Sequence, residues 1–163
     1  MHRRALAIIF AAVILFRVSS ALAIDQPRIV PRQAHISRPI DQVYGALKSY
    51  FSDSSLSRFN LQSADPKTYT LVATRSGIDN GHWSQWAFCP ATGVHMLFQL
   101  QDGSVTVTVN LQKSGPGATF ASVNADFQGD YALGANEQKL ACTSKETLEE
   151  DLLTVAAGGA AKK

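Results

Sequence analysis

The residues that could carry chemistry are few and scattered. Beyond the N-terminal apolar segment the histidines are His35, His82 and His95. No two of them sit at the i, i+4 spacing that lets a helix hold one metal ion between two imidazoles. Cys89 and Cys142 lack His or carboxylate partners at short spacing, so no metal ion and no cofactor is expected. Asp79, His82 and Ser84 supply the residue types of a hydrolytic triad, but their nearness only reflects a local chain segment. No G-x-S-x-G motif accompanies them. Neither G-x-G-x-x-G nor a Walker loop occurs, and Gly115-Pro116-Gly117 reads as a turn. No catalytic residue is assigned, and an enzyme is the less favoured reading. Trp83 and Trp86, with His82 beside them, are the candidate contact residues for a ligand or partner. Three apart in an expected strand, the two indoles would face opposite sides, one into the core and one toward the outer face or a cavity mouth. The acidic run Glu146, Glu149, Glu150 and Asp151 reads as helix-start electrostatics.

The cysteines take their meaning from the N-terminus. His2, Arg3 and Arg4 precede twelve apolar residues, Ala5 to Phe16, and Ala21-Leu22-Ala23 offers a small-residue cleavage site. Residues 1–23 therefore read as a secretory signal peptide. The alternative is an uncleaved anchor, but Arg17 interrupts a run too short for a hydrocarbon core that needs about 20 residues. Cleavage after Ala23 would leave 140 residues, periplasmic or secreted, with no further membrane span. An oxidising compartment favours a disulfide between Cys89 and Cys142. Two buried thiols are the other reading.

The whole chain of 163 residues is 45% hydrophobic and 17% charged, enough apolar material for one folded domain. Its formal charge of +2 includes Arg3, Arg4 and Arg17. Without them 12 basic residues face 13 acidic ones, so no basic field points to nucleic acid.

The elements follow from periodicity. Residues 24–33, with Pro27 and Pro31, read as an extended lead-in, and Ala34 to Ile36 as a first strand. Pro39 then starts a helix whose stripe is Ile40, Val43, Tyr44, Leu47 and Phe51. Phe59–Ser63 and Tyr69–Arg75 read as strands around an Asp65-Pro66 turn. Asn80-Gly81 predicts a hairpin turn into a strand over His82–Cys89, and Asp102-Gly103 another, between Val94–Leu100 and Ser104–Leu111. Val105, Val107, Val109 and Leu111 alternate with polar residues, as do Ala121, Val123, Ala125 and Phe127 within Ala118–Phe127. Lys139–Cys142 reads as a short last strand. Thr143 and Glu146 suit a capping box before a helix with the stripe Leu148, Leu152, Val155 and Ala156. Gly158-Gly159 ends it, and 158–163 reads as a tail. Residues 34–157 thus make a single α+β domain. An N-terminal β-α unit leads into a curved antiparallel sheet of about six to seven strands, packed on a C-terminal helix.

The opening Ile36-Ser37-Arg38-Pro39-Ile40-Asp41-Gln42-Val43-Tyr44 resembles the first strand and Pro-started helix of the START and birch-pollen-allergen superfamily. Cys142-Thr143-Ser144-Lys145-Glu146-Thr147-Leu148-Glu149 resembles the final strand and helix of small exported bacterial proteins. The resemblance implies a helix-grip fold and carries over no functional residue. The expected function is an exported, non-enzymatic binding module of the cell envelope or extracellular space, for an apolar small molecule. The alternative is a structural or assembly component docking on a larger envelope complex. A hydrolase assembled from distant strands comes third.

Overall fold

The computed structural model describes residues 31–78, 80–89, 99–133 and 136–160. The expected signal peptide, the start of the expected lead-in, Asp79, the expected Val94 strand start, His95 and the last three residues lie outside them. The order is β1 (Arg32–Ile36), α1 (Ile40–Ser52), β2 (Asn60–Asp65), β3 (Thr70–Arg75), α2 (Asn80–Trp86), β4 (Ala87–Phe88), β5 (Gln99–Gly115), β6 (Ala118–Leu133), β7 (Asn136–Ser144) and α3 (Thr147–Ala156). This is an α+β fold with a curved, open antiparallel sheet of seven strands. The strands run β2-β3-β5-β6-β7-β4, and β1 also pairs with β6. β6 is long enough to take two partners on one edge: β1 along Thr119–Val123 and β7 along Phe127–Leu133.

The core lies where the periodicities place it. All five stripe residues of α1 are buried. Val105, Val107, Val109 and Leu111 of β5 lie opposite Phe127, Ala125, Val123 and Ala121 of β6, and all eight are buried. Leu71 and Ala73 extend the same face across β3. The small alanines of β6 leave room for the helices, and both α1 and α3 pack there. Leu148, Leu152, Val155 and Ala156 of α3 close the layer. Burying each large side chain contributes about 1.5–3 kcal/mol.

Three expectations are corrected. Asn80-Gly81 does not turn a hairpin, because it opens helix α2, and only Ala87–Phe88 of that segment is strand. A short apolar run fits either period, and here the burial of Trp83 and Trp86, three residues apart on one helical face, decides. Asp102-Gly103 lies inside β5, at a register shift after Leu100. There Asp102 Oδ1 accepts from Gly77 N at 2.9 Å and the Gly103 carbonyl accepts from Ile78 N at 3.1 Å, so the pair serves an incoming segment, not a turn. The Thr143/Glu146 capping box does not form, because Thr143 is a β7 residue paired with Phe88 and α3 begins at Thr147. Ser144 substitutes: its Oγ accepts from Glu146 N at 2.8 Å and donates to Glu149 Oε2 at 2.9 Å.

Several boundaries also move. β1 starts at Arg32, within the expected lead-in, and Arg32 reaches Glu146 and Glu150 of the α3 segment at 2.7 Å each. β2 runs on to Asp65, and β7 is longer than the expected Lys139–Cys142. At the far end of α3, Arg38 donates to the Ala156 carbonyl at 2.9 Å, and Gly158 takes a left-handed φ of 91°.

Candidate functional site

Cys89 and Cys142 are bonded, with Cα atoms 4.2 Å apart. Ala87 pairs with Ser144 and Phe88 with Thr143, so the bond continues that short ladder by one step. It ties the end of the α2–β4 segment to the strand that leads into α3.

The two tryptophans take different surroundings although both leave α2. Trp83 is a core residue, 6% exposed, edge-on to Phe127 with ring centroids 5.7 Å apart. Its indole lies over Gly103 and Gly129, which face each other across β5 and β6. A Cβ built at Gly103 would stand 2.5 Å from Trp83 Cε3 and 2.8 Å from Cζ3, and one at Gly129 3.2 Å from Trp83 Cζ2. The glycine pair makes the flat seat this ring needs.

Trp86 forms part of a cleft of about 440 Å³. The α2 side brings His82, Gln85 and Trp86, and α3 brings Thr147 and Asp151. Tyr50 comes from the end of α1, Arg75 from the end of β3, and Ser55 to Phe59 from the connection between α1 and β2. The His82 and Trp86 rings lie 5.6 Å apart, one helical turn from each other. The Arg75 guanidinium carbon sits 4.9 Å from the centre of the Trp86 ring, a cation–π contact. Leu56 stands at the lip, 65% exposed.

The connection that carries Leu56 and Arg58 is held in place. Asp53 Oδ1 accepts from Ser55 N at 2.9 Å and Ser55 Oγ at 2.6 Å, and the Asp53 carbonyl accepts from Leu56 N and Ser57 N. Buried Ser57 accepts from Phe59 N at 3.1 Å. Arg58 has a left-handed φ of 55°, which costs a non-glycine residue about 1 kcal/mol. Burial, and then the Asp151 carboxylate, push the Tyr50 phenol above its ordinary range, with Arg75 partly opposing them.

Of the sequence candidates, His82 and Trp86 meet in the cleft and Trp83 does not. His35 is on β1 with its ring 5.1 Å from Phe120. Ser84 Oγ donates to the Gly81 carbonyl at 2.9 Å, a local helix bond. Among the described residues no three His, Cys, Asp or Glu side chains form a metal-holding group. Among them also, no helix is long and apolar enough to cross a membrane. Arg58, Arg75, Tyr50 and Asp151 were not legible as site residues. The one available signal was Leu56, a large apolar residue isolated among serines.

No family model matches the chain. No curated protein matches it either. Among solved structures it is similar to a DUF4468 family protein from Bacteroides ovatus, at 13% identity and a TM-score of 0.36, over 68% of this chain. The matched part spans 59% of that protein's length.

Proposed function

We propose that the protein is an exported, non-enzymatic binding module whose ligand site is the cleft beside Trp86. The observation that carries this reading is the cleft's make-up: about 440 Å³, in which Tyr50, Leu56, Phe59 and Trp86 stand among polar and charged side chains that outnumber them. A small molecule would rest its apolar part against Tyr50, Leu56 and Phe59. The space between sheet and helices is not where we place the ligand, since Val43, Leu47, Phe51, Leu71 and Val107 fill it. The bonded cysteines support export, because such bonds persist in oxidising compartments.

The test is a thermal-shift screen of the protein against small molecules, repeated with Leu56→Asp. Leu56 is exposed, so the variant is expected to fold. Ligands that raise the melting temperature of the native protein should fail to raise that of the variant. Equal shifts in both would place binding elsewhere. Export is checked separately, by fractionating cells that express the full chain and sequencing the N-terminus. A mature protein beginning at Ile24 is expected, and full-length protein retained in the cytoplasm would refute it.

Docking on a larger envelope complex is the second reading. Phe88 favours it, 61% exposed on the short edge strand β4. Phe88→Ser should then abolish co-purification of an envelope partner while leaving the thermal shifts intact.

A further inference from the structure

The two sulfurs of the Cys89–Cys142 bond are unequally placed. Cys142 is a core residue, 5% exposed, whereas Cys89 is only partly buried. Access decides which sulfur a thiol attacks, so attack is directed to Cys89 and Cys142 becomes the leaving group. The leaving sulfur already has an acceptor beside it. Cys142 Sγ lies 3.4 Å from the Leu140 carbonyl oxygen, which can take a hydrogen bond from the thiol. Reduced Cys142 then stays in the core as a small apolar side chain.

The bond also stands at the end of a cleft wall. α2 brings His82, Gln85 and Trp86 to the cleft, and Trp83 in its glycine seat anchors the middle of that helix. Downstream, Lys145 N donates to the Trp86 carbonyl at 2.8 Å, and Arg75 lies against the Trp86 ring. After that only the two-residue ladder of β4, the last strand in the sheet order, holds the chain to β7. So short an edge ladder belongs to the low-stability elements that open locally. The disulfide ties it down one step further on.

We infer that Cys89–Cys142 is a reducible latch on the α2 wall: a dithiol reductant opens it through Cys89, and the chain from Trp86 to Phe88 then leaves β7 while Trp83 stays seated. One thiolate of the reductant bonds to Cys89 Sγ as the Cys89–Cys142 bond breaks. Cys142 leaves as a thiolate and takes up a proton. The reductant's second thiol, losing its proton, displaces Cys89, which is protonated in turn. The protein gains two electrons and two protons, and the dithiol becomes a disulfide. Control of ligand binding by this latch rests on the reading that the cleft is the ligand site. The tests contain no ligand, so the latch and that reading fail separately.

The first test uses glutathione, whose single thiol leaves its mark on the sulfur it attacks. Early samples are quenched in acid, unfolded, blocked with N-ethylmaleimide and mapped by mass spectrometry. Glutathione on Cys89 with maleimide on Cys142 should exceed the reverse pattern by at least about tenfold. An even split, or a preference for Cys142, would overturn the directed attack. The second test compares hydrogen exchange of the oxidised protein with that of protein held reduced by dithiothreitol. At the shortest exchange times, amides of residues 85–88 should exchange in the reduced protein alone, and those of β5 and β6 should stay protected in both. Cys89→Ser without reductant should reproduce the reduced pattern. Protection of 85–88 in the reduced protein or in Cys89→Ser would overturn the latch. Simultaneous opening of β5 and β6 would overturn it too, by showing that the whole fold is lost.

Discussion

Gly103→Ala tests whether the glycine pair exists for the Trp83 ring. The added methyl would meet Trp83 Cε3 at 2.5 Å and Cζ3 at 2.8 Å. Both are atoms of a rigid ring in a residue that is 6% exposed, so neither can swing away. Overpacking of this kind costs about 1–3 kcal/mol, and two contacts this short put it near the upper end. Against that, alanine has fewer unfolded conformations than glycine, which stabilises by about 0.5–1 kcal/mol. The net loss is about 2 kcal/mol. With a urea m-value of about 2 kcal/mol/M, the unfolding midpoint followed by circular dichroism should fall by about 1 M. The same change in a Trp83→Leu background meets no ring, so only the unfolded-state term remains and the sign should reverse. A double-mutant cycle then gives a coupling of about 3 kcal/mol. Equal destabilisation in both backgrounds would refute the reasoning. Gly129→Ala should cost less, because its shortest contact, 2.6 Å, is with the ring of Tyr131, which is less buried than Trp83.

Leu47→Ala removes a fully buried α1 side chain and should lower stability by about 2–5 kcal/mol in denaturant unfolding. An unchanged midpoint would take this face out of the core. Replacing Cys89 and Cys142 by serine opens a loop spanning 53 positions and should cost about 4 kcal/mol on the chain-entropy account. Mass spectrometry of alkylated, non-reduced protein checks that the bond is present. Burial raises the Glu149 carboxyl above its ordinary 4.5, against the Ser144 hydrogen bond and Arg32 and with help from Glu146. The folded state then holds this proton longer than the unfolded chain. Stability therefore falls as pH rises from about 4.5 through the folded-state value. Glu149→Gln should flatten that part of the pH–stability curve, and an unaltered slope would show that Glu149 does not govern it.

What was legible depended on how locally each constraint is written. The α1 stripe and the alternations of β5 and β6 come from one element each, and every named residue of those patterns is buried. Having only two cysteines left one possible intramolecular pairing. By contrast, Gly103 follows an aspartate and carries the local signature of a hairpin turn, whereas its true constraint is the indole of Trp83 above it. The same holds for α2. Its few residues suit strand or helix, and burial against the sheet settles the choice. The cleft was least legible, because Tyr50, Arg58, Arg75 and Asp151 come from four separate segments that only the topology brings together.

Cys89 and Cys142 bracket the whole β5–β6 hairpin, so backbone and bond together close a covalent ring. The exposed turn at Gly115-Pro116-Gly117 belongs to that ring. One peptide bond severed there opens the ring into a line and releases nothing. β5 stays with the upstream piece and β6, β7 and α3 with the downstream piece, joined through sulfur and still zipped along the β5–β6 ladder. The molecule is thus built to survive a single scission at this tip, and a peptide inserted or new termini placed there would leave both halves tethered.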